Sequence, residues 1–140
     1  MIALDTNVIS ELMRPTPAEV VVAWFDAQRA ADLAIPAVAV AELRYGVARL
    51  PHGARQRALS ARLDVLLSDV LGGRVFAFDA DAAAFYGELV ASREQAGRPI
   101  SAADAQIAAT SLARGTALAT RNTRDFAGTG VALVDPWAAA

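Results

Sequence analysis

Cysteine and lysine are both absent from this chain, and His52 is its only histidine. Without cysteine there is no disulfide, no thiolate metal site and no cysteine nucleophile, and the composition fits a reducing compartment. A single histidine gives no basis for a histidine-ligated metal centre. The missing lysine weighs against a phosphotransfer or receiver-like domain, which also sets acids at strand ends but needs a lysine beside its phosphate site. Also lacking are a basic leader ahead of a hydrophobic stretch and any apolar run near the roughly 20 residues of a membrane span, so a soluble, cytoplasmic protein is expected. Neither sign of charge dominates, since 13 basic and 15 acidic side chains leave a formal net charge of −2. That balance argues against coating nucleic acid by bulk electrostatics, while the arginines still permit a local basic patch.

What the chain does have is apolar content. At 140 residues and 55% hydrophobic, it fits one domain over residues 1–140 with a real core. Short apolar runs at 2–4, 33–35, 75–78, 116–119 and 131–134 read as strands. Between them lie helical patterns: residues 8–13, then a helix restarting near Pro17 with Val20, Val21, Trp24 and Phe25 on one side. A third covers 38–49 with Val40, Leu43, Val47 and Leu50 as its buried stripe, and a fourth carries Leu59, Leu63, Leu66 and Leu67 on to Gly72. Asp79 is placed to cap a helix bearing Phe85, Tyr86, Leu89 and Val90, and Ser101 to open one that closes at Gly115. Strands alternating with helices predict an α/β fold, a three-layer α/β/α sandwich around a mostly parallel sheet of about five strands.

Three acids then stand out by position, although each has a structural explanation of its own. Asp5 lies at the carboxyl end of the first strand, where open α/β sheets place their chemistry, yet it also suits the N-cap of the next helix. Glu42 borders the apolar stripe of its helix, a place where a glutamate is usually just solvated. Asp104 closes a Ser101-Ala102-Ala103-Asp104 capping-box spacing. The parallel topology nevertheless predicts that all three meet at one edge of the sheet, beside the polar loop Thr120-Arg121-Asn122-Thr123-Arg124-Asp125 after the fourth strand. Clustered carboxylates repel one another and need cations or raised pKa values, and an oxygen-only site suits Mg²⁺ or Mn²⁺.

In four ordered pieces, with a fitting close at Asp135-Pro136-Trp137, the sequence resembles the PIN-domain ribonucleases of the VapC toxin group, near the FitB-like branch. The pieces are Leu4-Asp5-Thr6-Asn7-Val8-Ile9-Ser10-Glu11, Val40-Ala41-Glu42-Leu43-Arg44-Tyr45-Gly46, Ala103-Asp104-Ala105-Gln106-Ile107-Ala108-Ala109, and Ala119-Thr120-Arg121-Asn122 with Asp125-Phe126. The resemblance implies a single PIN domain in which Asp5, Glu42 and Asp104 hold divalent metal and activate water for hydrolysis of RNA phosphodiesters. Thr120 would order the site. In one respect the chain departs from the family pattern: an acid often stands where this sequence has Asn122. An amide oxygen can ligate weakly but adds no charge and cannot be a base, and whether Asp125 takes over that role stays open.

The same resemblance implies a VapB-like antitoxin as partner and pairing as a homodimer. The apolar helices around 40–50 and 59–71 are the expected contact surfaces. Arg44, Arg121 and Arg124 are candidates for holding RNA phosphates. A PIN fold that only binds RNA or another protein, with weak or no catalysis, is the alternative that Asn122 keeps open.

Overall fold

The computed structural model describes residues 1–138. Five strands, β1 (Ile2–Leu4), β2 (Leu33–Pro36), β3 (Val75–Phe76), β4 (Ala117–Ala119) and β5 (Leu133–Val134), form one sheet in the order β3-β2-β1-β4-β5. Every neighbouring pair is parallel. Around it run seven α-helices among the described residues: α1 (Thr6–Leu12), α2 (Glu19–Asp26), α3 (Ala37–Ala48), α4 (Ala54–Val65), α5 (Ala80–Gln95), α6 (Ala102–Arg114) and α7 (Thr123–Phe126). This is the helix-flanked parallel sheet that the alternating pattern predicts.

The strands are short because their ladders are short. Phe76 pairs with Pro36, the last residue of β2, so the expected continuation of β3 through Phe78 has no partner to bond to. Thr116 stays outside β4 because its N–H is already given to the Ser111 carbonyl at the end of α6 (3.0 Å). There Gly115 takes the left-handed conformation, φ 66°, that a helix terminus of this kind requires. Val131 belongs to the core rather than to β5, which pairs only over Leu118↔Leu133 and Ala119↔Val134. The leucine-rich segment after α4 does not stay α-helical to Gly72 but widens into a π-turn at Leu66–Val70.

The core is one contiguous cluster with Leu4, Ile9, Leu33, Ile35, Leu63, Leu71, Ile107, Leu118 and Phe126 fully buried. Helix α6 is enclosed over much of its circumference, with Ala105, Ile107, Ala108, Ala109, Thr110 and Ser111 all buried. Its two buried hydroxyls stay satisfied by back-bonding, Thr110 to the Gln106 carbonyl (2.7 Å) and Ser111 to the Ile107 carbonyl (3.0 Å). The α3–α4 connection is closed by Gln56, whose amide donates to the carbonyls of Val47, Ala48 and Leu50 at the end of α3. His52 sits in that connection, exposed.

Strand order decides where chemistry can go. The chain moves outward from β1 to β2 and β3, then returns to the other side of β1 for β4 and β5. The carboxyl ends of β1 and β4 therefore flank the point where the winding reverses, which is where such sheets leave a crevice. In register, Leu4 pairs with Ala119. The next residues are Asp5 and Thr120.

Candidate active site

Asp5 is anchored from several sides. Its N–H donates to the Ala119 carbonyl (2.9 Å), which continues the β1–β4 ladder by one bond. Its carboxylate then starts α1, with Oδ1 accepting from the Thr6 N–H (2.8 Å). The buried Thr120 hydroxyl donates to Oδ2 at 2.8 Å, and the Asn7 amide reaches the same oxygen at 3.2 Å. So Asp5 is a helix cap and a cavity acid together. Only 3% of the residue is exposed. Burial is the main reason its pKa is pushed up to about 6; the Thr120 and Thr6 hydrogen bonds oppose the rise, and the charges of Asp104 and Glu42 add to it.

Asp104 arrives on the first turn of α6. Ser101 caps that helix by accepting from the Asp104 N–H (3.2 Å), so the backbone of Asp104 serves the cap and its carboxylate is left to face the cavity. Its pKa is raised too, by burial first, against the neighbouring Ser101 hydroxyl, and then by the charges of Asp125 and Glu42. Glu42 comes from α3, where it is exposed, and its Oε1 accepts from the Thr6 hydroxyl at 2.7 Å. Asp5, Glu42 and Asp104, separated by long stretches of chain, thus line one cavity of about 460 Å³, together with a fourth acid, Glu11, which is paired with Arg14, and with Asn122, Arg121 and Trp137.

Around this centre the remaining sequence-predicted residues divide. Thr120 lies behind Asp5; besides donating to it, its oxygen accepts from the Asn122 N–H (3.0 Å) and the Asn7 amide (3.3 Å). Asn122 borders the cavity at the N-cap of α7, and its side chain makes no cap bond. Asp125, on α7, is not part of the cavity wall, although its charge is felt at Asp104. Arg44 points elsewhere, paired with Asp64 of α4 at 2.7 Å. Arg124 is exposed on α7 away from the cavity wall, whereas Arg121 stands in it.

The sequence pattern assigns no role to two positioning residues of the first motif. Asn7 ties the β1 and β4 ends together by donating to Asp5 and Thr120 and accepting from the Arg121 N–H (3.2 Å). Thr6 holds Glu42. Their signal was present, since both follow the strand-end acid directly, but small polar residues there also suit a plain helix start. Glu11 was likewise passed over. It is buried, accepts from the Ala18 N–H (3.1 Å) and pairs with Arg14 at 3.1 Å, which ties α1 to the start of α2.

Whether these donors suit a divalent cation can be judged from their chemistry. Among the described residues no three acids or histidines are drawn close enough to form a ready ligand cluster. Yet Asp5 and Asp104 are both held in a state that disfavours their charge, and both face the same cavity. Hard carboxylate oxygens under mutual repulsion are what a small divalent cation would relieve. The set fits such an ion with Asp5 and Asp104 as primary holders and Glu42 joining by side-chain rotation or through water.

The chain is similar to known proteins in both sequence and structure. Residues 2–131 match the family model of the PIN domain. The chain is 44% identical over 137 residues to the VapC ribonuclease Y4jK of Sinorhizobium fredii, covering 98% of each chain. It is 43% identical to the Toxin FitB of Neisseria gonorrhoeae, covering 98% of this chain and 99% of that protein. In structure it is similar to the crystal structure of FitAcB from Neisseria gonorrhoeae, with a TM-score of 0.91, 43% identity and 99% of each chain covered.

Proposed function

The chain belongs to the PIN-domain family, and from that premise we propose that it is the ribonuclease toxin of a toxin–antitoxin pair, an endoribonuclease using Mg²⁺ or Mn²⁺. The observation that carries this reading is the meeting of Asp5, Glu42 and Asp104 in one cavity at the sheet's switch point. The buried Asp5 carboxylate, pushed up to about 6 inside that cavity, favours catalysis over mere RNA binding. We take residues 1–140 as a single PIN domain, supported by a family match over residues 2–131.

Each residue has a task that follows from its contacts. Asp5 and Asp104 would supply the oxygens that hold the cation, and Glu42 would complete the set. When bound, the cation supplies charge neutralisation at the phosphate and a lowered pKa for water. Thr120 and Asn7 fix the Asp5 carboxylate so that its free lone pairs face the cavity rather than the core. Thr6 restrains Glu42, whose second oxygen is open to orient the attacking water or take its proton. Asn122 offers a neutral amide oxygen at the rim.

The absent fourth acid has a measurable consequence. Asn122→Asp should tighten Mg²⁺ or Mn²⁺ binding in calorimetry, by about tenfold for one added carboxylate at a site this exposed. Unchanged affinity would shift the fourth role to Asp125.

The partner reading rests on a second cavity. A groove of about 480 Å³ runs between the end of α1, α3 and α4, with Met13, Leu43, Val47, Leu50 and Leu59 in its wall, and shares Thr6, Ser10, Arg14 and Glu42 with the acidic cavity. A VapB-like antitoxin laying an apolar segment along this groove could reach the carboxylates with a basic side chain and exclude cation or RNA. The same helices give most of their leucines to the core, so the groove is what remains of the expected surplus. We also take the chain to pair as a homodimer. The deciding experiment is cleavage of short single-stranded RNA with and without Mg²⁺ or Mn²⁺, repeated after adding the product of a neighbouring small gene. Divalent-dependent cleavage that this product suppresses is expected. RNA binding without cleavage under any divalent ion would favour the silent module.

A further inference from the structure

An RNA strand entering the acidic cavity meets Asp5, Glu42 and Asp104, whose field repels phosphate. Something on its wall has to offset that repulsion, and only two cationic side chains are there, Arg14 and Arg121. The Arg14 guanidinium is committed to the buried Glu11, with contacts at 3.3 and 3.1 Å to its two oxygens. Arg121 is different. Among the described residues its guanidinium makes no ion pair, although acids line the same wall. It lies instead over the ring of Trp137, 5.2 Å from the centroid.

That placement is built from both sides. The Arg121 backbone is fixed by Asn7, which accepts its N–H at 3.2 Å beside Asp5. Trp137 is fixed by Asp135, whose Oδ1 accepts the Trp137 N–H at 2.9 Å, while the indole packs against the core. A guanidinium on an aromatic face keeps its in-plane N–H donors free, loses little entropy when it grips an anion, and is held away from carboxylates that would otherwise capture it.

We propose that Arg121 grips an RNA phosphate adjoining the scissile one at the cavity mouth, and that Trp137 is the positioning residue that holds the guanidinium there. The proposal rests on the ribonuclease reading and adds to it how substrate is held. Arg121 acts by contact; Trp137 acts through Arg121. Their effects therefore fall on substrate affinity rather than on the chemical step, and they are not independent.

The test uses short single-stranded RNA of mixed sequence, read by steady-state cleavage and, in an Asp104→Asn chain that does not cleave, by fluorescence anisotropy. Arg121→Ala should raise KM and weaken binding about tenfold, as expected for one charge-assisted contact, with kcat nearly unchanged. It should also lower the slope of log affinity against log salt by about 0.7, the value for one phosphate contact on a single strand. Trp137→Ala should raise KM about threefold, Trp137→Phe should stay near the parent, and the double variant should be no worse than Arg121→Ala alone. In a Trp24→Phe chain, RNA should change the emission of Trp137. Additive losses in the double variant, a salt slope that Arg121→Ala leaves intact, or a Trp137→Ala defect in kcat with unchanged KM would each overturn the proposal. Should Trp137→Ala not fold, Trp137→Phe and the exposed Arg121 still decide it. Absence of cleavage by the parent chain, with RNA binding that still depends on Arg121, would defeat the ribonuclease reading and leave the grip standing.

Discussion

Asp5→Asn and Asp104→Asn should each remove divalent-dependent RNA cleavage by well over a hundredfold, more than the roughly 10–100-fold that losing an outer partner of a metal site costs. Thr120→Val, which takes away such a partner, should fall within that smaller range. The ordering of the series is the informative part, because it separates holding the cation from orienting a holder. Equal losses in all three would mean that Asp5 matters only through its hydrogen bonds. Full activity in purified Asp5→Asn would remove Asp5 from the site.

The same substitution should make the protein more stable, and the sign follows from proton binding. Asp5 has a folded-state pKa of about 6 against an ordinary 3.8, so across that interval the folded chain keeps a proton that the unfolded chain has released. Stability therefore falls as pH rises from about 4 to about 6, and the penalty is complete at neutral pH. A displacement of this size corresponds to about 3 kcal/mol, from which about 1 kcal/mol is subtracted because an amide has one acceptor oxygen and cannot serve Thr6 on one side and Thr120 with Asn7 on the other. Thermal melts should accordingly show Asp5→Asn above the parent at pH 7.5 and the gap closing below pH 4. Millimolar Mg²⁺ should narrow the gap at neutral pH by stabilising only the parent. A variant less stable than its parent at pH 7.5 would contradict the electrostatic account.

Stability given up for a charged cavity is also why the acids were legible before the fold was known. Asp5 could be read because a buried apolar run ended on it, whereas the capping-box spacing from Ser101 explains Asp104 by itself, so that Asp104 is singled out only by its place in the ordered motifs. Glu42 could not be chosen by its own surroundings, since it is an exposed helical residue, and only the ordered set of motifs singled it out. Topology followed from alternation, but strand lengths did not. Where β3 stops and β5 begins depends on where their neighbours offer free backbone, as at Pro36, and that is a property of register rather than of local pattern. The Arg44–Asp64 pair, which lies outside the acidic cavity, could not be read for a similar reason: Asp64 lies one helix away, and nothing local to either residue announces the pair. Trp137 is legible as a motif residue, yet its contact with Arg121 depends on the segment after β5 returning to the mouth of β4.

Arg93 is the residue that sequence reasoning had least chance of finding, and its replacement should have the largest structural effect. Near the end of α5 it reads as a surface arginine that favours the helix dipole. In the fold it is buried, and its guanidinium donates to three backbone carbonyls: Nε to Arg98 (2.7 Å), Nη1 to Ala127 (2.5 Å) and Nη2 to Asp125 (3.2 Å). None of its partners is a carboxylate. Two of those carbonyls belong to the end of α7, a helix of four residues that cannot sustain itself and that carries Asn122 at its start and the fully buried Phe126. Arg93→Ala would strand these acceptors in a site closed to water and release the segment bordering the acidic cavity. A loss on the order of 3 kcal/mol, or roughly 10 °C in Tm, is expected. Arg93→Lys should recover only part of it, because an ammonium cannot span three carbonyls set by a planar fork. In the folded fraction cation affinity should also drop, since Asn122 loses its support, whereas Arg98→Ala, which changes an exposed side chain and keeps the backbone acceptor, should leave Tm near the parent. Denaturant melts placing Arg93→Ala within about 1 kcal/mol of the parent would show that water replaces the guanidinium at little cost and that α7 is held by Phe126 alone.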